Sequence, residues 1–186
     1  GMREQPTDEV AWIARGLARL AKDPEGALVD FEEALKLNAR SFAALQNKAH
    51  VLADRLDQLD EALAILDRLV ENYPDAVLAR LGRGILYARL GKHAEALDDA
   101  KECLDRDVGA STFYHVANIY ALTSRQAKEH EPKALTLLAK ALQAGYGTDL
   151  VARDPDFAPL REHAEFQRLV TAARTLGNAA NRKNEP

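Results

Sequence analysis

One phrase of helical spacing recurs four times along the chain. It reads Ala27-Leu28-x-x-Phe31-x-x-Ala34-Leu35, then Ala62-Leu63-x-x-Leu66-x-x-Leu69-Val70. It returns as Ala96-Leu97-x-x-Ala100-x-x-Cys103-Leu104 and as Ala134-Leu135-x-x-Leu138-x-x-Ala141-Leu142. Offsets of one, four, seven and eight put these side chains on one stripe of an α-helix. The lead alanines stand 35, 34 and 38 residues apart. A period of that size is one supersecondary unit, which buries its apolar face only by stacking on its neighbours.

A second phrase precedes each copy. A small residue stands mid-helix at Gly16, Ala49, Gly84 and Ala117, spaced by 33, 35 and 33. Trp12, Leu45 and Phe113 lie four residues before it, and Leu52, Tyr87 and Tyr120 three residues after. A small residue there lets a second helix approach closely, and the bulky neighbours fill the space beside the contact. Asp23-Pro24 reads as an N-cap with proline in the first turn, and Glu131-Pro132 as another helix start. Leu90-Gly91-Lys92 ends a helix, and Asn72-Tyr73-Pro74-Asp75 closes the second repeat.

These residues resemble the tetratricopeptide repeat family, with its period of about 34, its small and aromatic residues in the first helix, and Ala, a bulky residue, Ala and a closing Pro in the second. The third repeat matches best, through Gly84, Tyr87, Gly91, Ala96 and Cys103. The first departs with Ala39 where proline is usual, and the fourth carries extra residues over Ser124–Glu131. The resemblance implies an all-α fold: a right-handed α-α superhelix of antiparallel helix pairs with C-terminal capping helices. Residues 1–7 are then a disordered leader, and helix pairs follow at about 8–39, 40–74, 75–108 and 109–144. Capping helices at 145–177 and a polar tail at 178–186 complete the chain. Phe157, Leu160, Phe166, Leu169 and Val170 are placed to cover the exposed end of the array. The cap is similar to those ending repeat arrays in bacterial multidomain proteins. An accessory segment of a larger signalling enzyme is therefore one alternative.

Composition excludes several function classes. Apolar residues make up 47% of the 186, enough for a continuous core. Net charge is -4, with no basic excess for nucleic acid and no polybasic run for a membrane. No apolar stretch is long enough to span a bilayer, and Gly1–Pro6 has no apolar run of the signal type. A cytoplasmic location is expected. Cys103 is the single cysteine and occupies a packing column with Ala34 and Ala141. None of the five histidines pairs with another at the helical spacing of a metal site. The acidic run Asp98, Asp99, Glu102, Asp105 and Asp107 reads as a solvated outer face, with Arg80, Arg83 and Arg89 within reach of it. Arg15, Lys48 and Arg83 each precede the small residue, and their stems are expected to pack while the charge snorkels outward. No phosphate loop or nucleophile elbow is present. The expectation is a protein that is not an enzyme and needs no cofactor.

The family's concave groove implies a binding surface on the first helix of each pair. By resemblance, it holds Gln46, Asn47, His50 and Asp54 in repeat two, Leu81, Ile85 and Arg89 in repeat three, and Tyr114, His115 and Asn118 in repeat four. The polar members can hydrogen-bond a peptide backbone, Arg89 can meet a carboxylate, and Leu81 and Ile85 supply apolar area. The expected partner is a protein or peptide. A homodimer is the alternative, supported by Val10, Ile13, Leu17 and Leu20 on the first helix. Some chaperone-binding members clamp a terminal carboxylate with Lys, Asn and Arg side chains. Those places here hold Ile13, Leu17, Asn47, Leu78 and Gly82, and only Asn47 fits, so chaperone tails are not expected to bind.

Overall fold

The computed structural model describes residues 5–183, with side chains described to Thr175. Residues 1–4 of the expected leader and 184–186 of the expected tail lie outside the described residues. Among the described residues there are nine α-helices, two 3-10 segments and no strand. The chain divides into two compact units, residues 1–79 and 80–186.

In the first unit, α1 (Glu9–Arg19) packs on α2 (Pro24–Leu37), and α3 (Phe42–Asp54) packs on α2 and on α4 (Leu59–Asn72). The helix starts follow from local chemistry. Asp8 accepts from the Ala11 N–H at 2.8 Å, Asp23 from Gly26 at 2.9 Å, and Ser41 from Ala44 at 3.2 Å. Pro24 occupies the first turn of α2, as its sequence position requires. Phe31, Ala27 and Val51 form a buried cluster, with Ile13, Leu20, Leu28 and Leu56 packed around it. Gly16 exists for Phe31: a Cβ on Gly16 would lie 2.6 Å from the phenyl Cε1. Complete burial of such a ring stabilises the fold by about 1.5–3 kcal/mol. Phe42 and Tyr73 meet edge to face, and the Tyr73 hydroxyl donates to the Arg40 carbonyl at 2.9 Å.

The division between the units falls inside α5 (Val77–Arg89). In the second unit α5 is followed by α6 (His93–Arg106), α7 (Ala110–Thr123) and α8 (Glu131–Gln143). A Cβ on Gly84 would meet Ile119 Cδ1 at 2.8 Å and Asp99 Cβ at 3.2 Å, so α5, α6 and α7 converge there. The extra residues of the fourth repeat form the turn after α7 and the 3-10 segment Lys128–His130, where His130 Nδ1 lies 2.9 Å from Thr123 Oγ1. Gly91 ends α5 with φ 75°, and Lys92 N–H returns to the Tyr87 carbonyl at 2.8 Å. Gly145 ends α8 the same way, with φ 83° and Tyr146 N–H on the Ala141 carbonyl at 3.0 Å.

Two sequence expectations about charge are corrected. Arg15 does not snorkel: its guanidinium forks onto Asp30 at 3.0 and 2.6 Å, stacked 4.4 Å over the Trp12 ring. Arg83 does the same to Asp99, with both contacts at 2.8 Å, and Arg80 adds one at 3.2 Å. Lys48 reaches Glu32 at 2.8 Å. Asp99 is therefore no part of a solvated face: it is 2% exposed, whereas Asp98, Glu102 and Asp105 are exposed. A carboxylate on a packed face is tolerated only with charge-assisted partners, which the two arginines supply. Asp30 and Asp99 each stand three residues after the lead alanine of their repeat. Repeats two and four have Ile65 and Leu137 there and lack an arginine before the small residue.

Beyond Gly147 the chain runs through a turn-rich stretch into the 3-10 segment Pro155–Leu160, which packs on α7. Then α9 (Ala164–Lys183) packs on α8. Phe157, Leu160, Val151 and Phe166 are buried, while Leu169 and Val170 are half-buried. The helix runs past residue 177, where the sequence suggests a tail.

Candidate functional site

In the second unit, three of the residues expected to face a ligand, Arg89, Tyr114 and Asn118, hydrogen-bond a segment of the same chain. Asp154-Pro155-Asp156-Phe157 lies along α7 and the end of α5. The Arg89 guanidinium donates through Nε and a terminal nitrogen to the two oxygens of Asp156, both at 2.9 Å. The Tyr114 hydroxyl and the Asn118 amide converge on one oxygen of Asp154, at 2.8 and 3.0 Å. The other Asp154 oxygen accepts from the Asp156 N–H at 3.0 Å, which fixes the bend of the segment. Phe157 sets its ring edge to face against Tyr114, with centroids 5.4 Å apart.

Local sequence explains this seat. Tyr114 and Asn118 are one helical turn apart on α7, so both side chains leave the same face. Tyr114 is also gripped from the other side. Tyr146 packs on it at 5.5 Å, and a Cβ on Gly147 would lie 2.3 Å from its ring. Gly147 also has φ 79°, so glycine is required there for both space and backbone. Burial pushes the Tyr114 hydroxyl to a raised pKa, and the Asp154 carboxylate adds to the effect. It stays a neutral donor. One polar atom of the seat lacks a partner among the described residues: the Asn118 Oδ1 is buried with none.

The residues expected in the groove of repeats three and four have these surroundings. Arg89, Tyr114 and Asn118 are engaged internally, and Leu81 is buried. Ile85 is half-buried. His115 is half-buried as well, with Nδ1 2.8 Å from the Ser111 carbonyl and its ring against Tyr146. Sequence reasoning missed Asp154 and Asp156 as members of the site. The signal available was two carboxylates beside an aromatic; the arginine that one of them meets lies 67 residues earlier.

In the first unit the corresponding face is accessible. Gln46 and Asn47 are half-buried, and His50 and Asp54 are exposed. Asn47 turns its amide back to the Ala43 carbonyl at 2.8 Å, and His50 Nδ1 lies 2.7 Å from Asp54. On α1, Val10 is 75% exposed and Leu17 51%. Among the described residues there is no cluster of three or more His, Cys, Asp or Glu able to hold a metal ion. No helix among them is long and apolar enough to cross a membrane.

Residues 39–76 match the family model of the tetratricopeptide repeat. A tetratricopeptide repeat protein from Parabacteroides merdae ATCC 43184 has a similar structure, with TM-score 0.64 and 22% identity, over 89% of this chain and 57% of that one. This chain therefore spans little more than half of that protein. YrrB, a protein of the same repeat class described as having an unusual peptide-binding site, aligns with TM-score 0.55 and 26% identity over 86% of this chain and 73% of its own. MamA aligns with TM-score 0.56 at 14% identity, over 90% and 96%. No curated protein matches the sequence. Residues 39–76 thus carry a tetratricopeptide repeat, and the helix pairs share the fold of solved tetratricopeptide repeat proteins.

Proposed function

We propose that the chain is a non-catalytic interaction module that takes a segment of a partner protein on the first-helix face of its repeats. The observation that carries this reading is the seat on α7. Three residues at family groove positions, Arg89, Tyr114 and Asn118, hold a non-α-helical segment by hydrogen bonds to its two carboxylates. The equivalent face of the first unit presents Gln46, His50 and Asp54 with its polar groups accessible, and Leu17 exposed on α1. It is the place for an external partner. The similarity to YrrB, a protein with a peptide-binding site, supports the same class of function.

The test is affinity capture of a partner by wild type and by a Gln46→Ala/His50→Ala/Asp54→Ala variant, both verified as folded by circular dichroism. At least a tenfold drop in captured partner is expected for the variant. Equal capture by both would remove the partner from this face.

Exposed Val10 and Leu17 favour a second reading, self-association through α1. Light scattering across a hundredfold range of concentration decides it. A mass that rises with concentration in wild type and not in Leu17→Glu supports self-association, and a constant monomer mass excludes it.

A further inference from the structure

We propose that the α7 seat is a recognition site for acidic-aromatic segments of the form Asp-x-Asp-aromatic, and that residues 154–157 are an internal occupant which such a segment of a partner protein displaces. The inference rests on the first-helix faces being partner surfaces, and it names the chemistry of one partner and its regulation.

Four features carry it. First, one four-residue stretch makes these contacts: Asp154 on Tyr114 and Asn118, Asp156 on Arg89, and the Phe157 ring on Tyr114. They do so from extended and 3-10 backbone, which a short linear peptide can copy; Asp154 has φ -63° and ψ 118°. Second, the polar contacts are not needed to cover an apolar end. Val151, Leu160 and Phe166 already bury that surface. Buried ion pairs contribute little net stability over apolar packing, and their fixed fork geometry selects sequence. Third, the internal fit is incomplete. Asn118 Oδ1 is buried without a partner, so an occupant bringing an N–H donor to that atom binds better than the resident segment. Fourth, charge is complementary. Arg89 projects from the end of α5 toward the Asp156 position. At the same register repeat two has Asp54. The acidic preference therefore belongs to this face and not to the α3 face.

The probe is a fluorescent peptide with the sequence of residues 151–161, read by anisotropy against the full chain. An Asp154→Ala/Asp156→Ala chain, whose resident segment has lost its anchors, is expected to bind it at least tenfold more tightly than wild type. Adding Arg89→Ala to that chain, or replacing both aspartates of the peptide by alanine, is expected to abolish the gain. A folded double variant that binds no more tightly than wild type overturns the proposal. Should the double variant fail to fold, Asp156→Asn is read in the same way, since it keeps the shape and removes the negative charge that faces Arg89. The unaltered chain gives an independent reading. A saturating excess of peptide should raise amide exchange over 164–175 and leave 9–37 unchanged, and no change over 164–175 overturns displacement. A mass that doubles with concentration, without peptide binding, would mean that the segment passes to a second copy and would also overturn it. Failure here, with partner loss in the α3 variant, leaves the general interaction reading intact.

Discussion

Asp99 shows how much one buried carboxylate decides. Two arginines converge on it, and both are mostly buried, with side chains 13% and 18% exposed. Removing the carboxylate takes a charge-assisted partner from two mostly buried guanidiniums, so Asp99→Ala is expected to cost about 3–5 kcal/mol in urea denaturation. Exposed Asp98 next to it is expected to cost less than about 0.5 kcal/mol when changed to alanine. Gly84→Ala drives a methyl into Ile119, itself buried, and is expected to destabilise by about 1–3 kcal/mol. Asp57 tests the opposite sign. It holds φ 54° in the turn between α3 and α4, a conformation that suits glycine. Asp57→Gly is therefore expected to stabilise by roughly 0.5 kcal/mol, read as a higher Tm. The small residues of α1 and α5 were legible in the sequence because spacing alone exposes them. The ion pairs were not. Arg83 and Asp99 lie 16 residues apart on successive helices, and a charge run gives no sign of which member turns inward.

At the scale of the helix, α6 carries a pH dependence that can be worked out in sign. Cys103 packs fully buried, and burial, with Asp99 nearby, pushes its thiol from about 9.0 up to about 12. The unfolded chain loses that proton above pH 9, and the folded chain holds it until about 12. Stability supplied by the neutral thiol is thus intact below pH 9 and falls as pH rises toward about 12. Urea denaturation at pH 8 and at pH 10–11 is expected to show a decline shallower in Cys103→Ala, by up to about 1.4 kcal/mol per pH unit. Tyrosines add to the decline in both chains, so the difference of slopes is the quantity that counts. The helices themselves follow their sequence signals closely: Asp23-Pro24 starts α2, and Gly91 ends α5. The seat of residues 154–157 was hidden for a topological reason. Asp-Pro-Asp reads locally as a turn, and nothing local says that Asp156 will meet Arg89, 67 residues earlier.

Over the whole molecule, the repeat phrase made the helix pairs visible, because stacked pairs need the same stripe each time. The division into units of residues 1–79 and 80–186 was not visible, since it falls inside the uninterrupted pattern of α5. That division has a measurable counterpart. Asp30→Ala is expected to raise amide exchange chiefly within 9–72, and Asp99→Ala chiefly within 80–175. Uniform acceleration along the chain in either variant would show a single cooperative block.

The alternation of the buried arginine–aspartate pair also bears on how a chain of look-alike parts avoids assembling wrongly. Four second helices offer nearly the same alanine-leucine stripe, so on apolar grounds α1 could settle on α4 or α8 as readily as on α2. Each such error would set Arg15 against Ile65 or Leu137 and leave Asp30 buried with no guanidinium. Repeats two and four carry no complementary arginine to rescue it. A single charged pair thus acts as a proofreading mark: it contributes little to how tightly the right helices hold, and a great deal to how badly the wrong ones do.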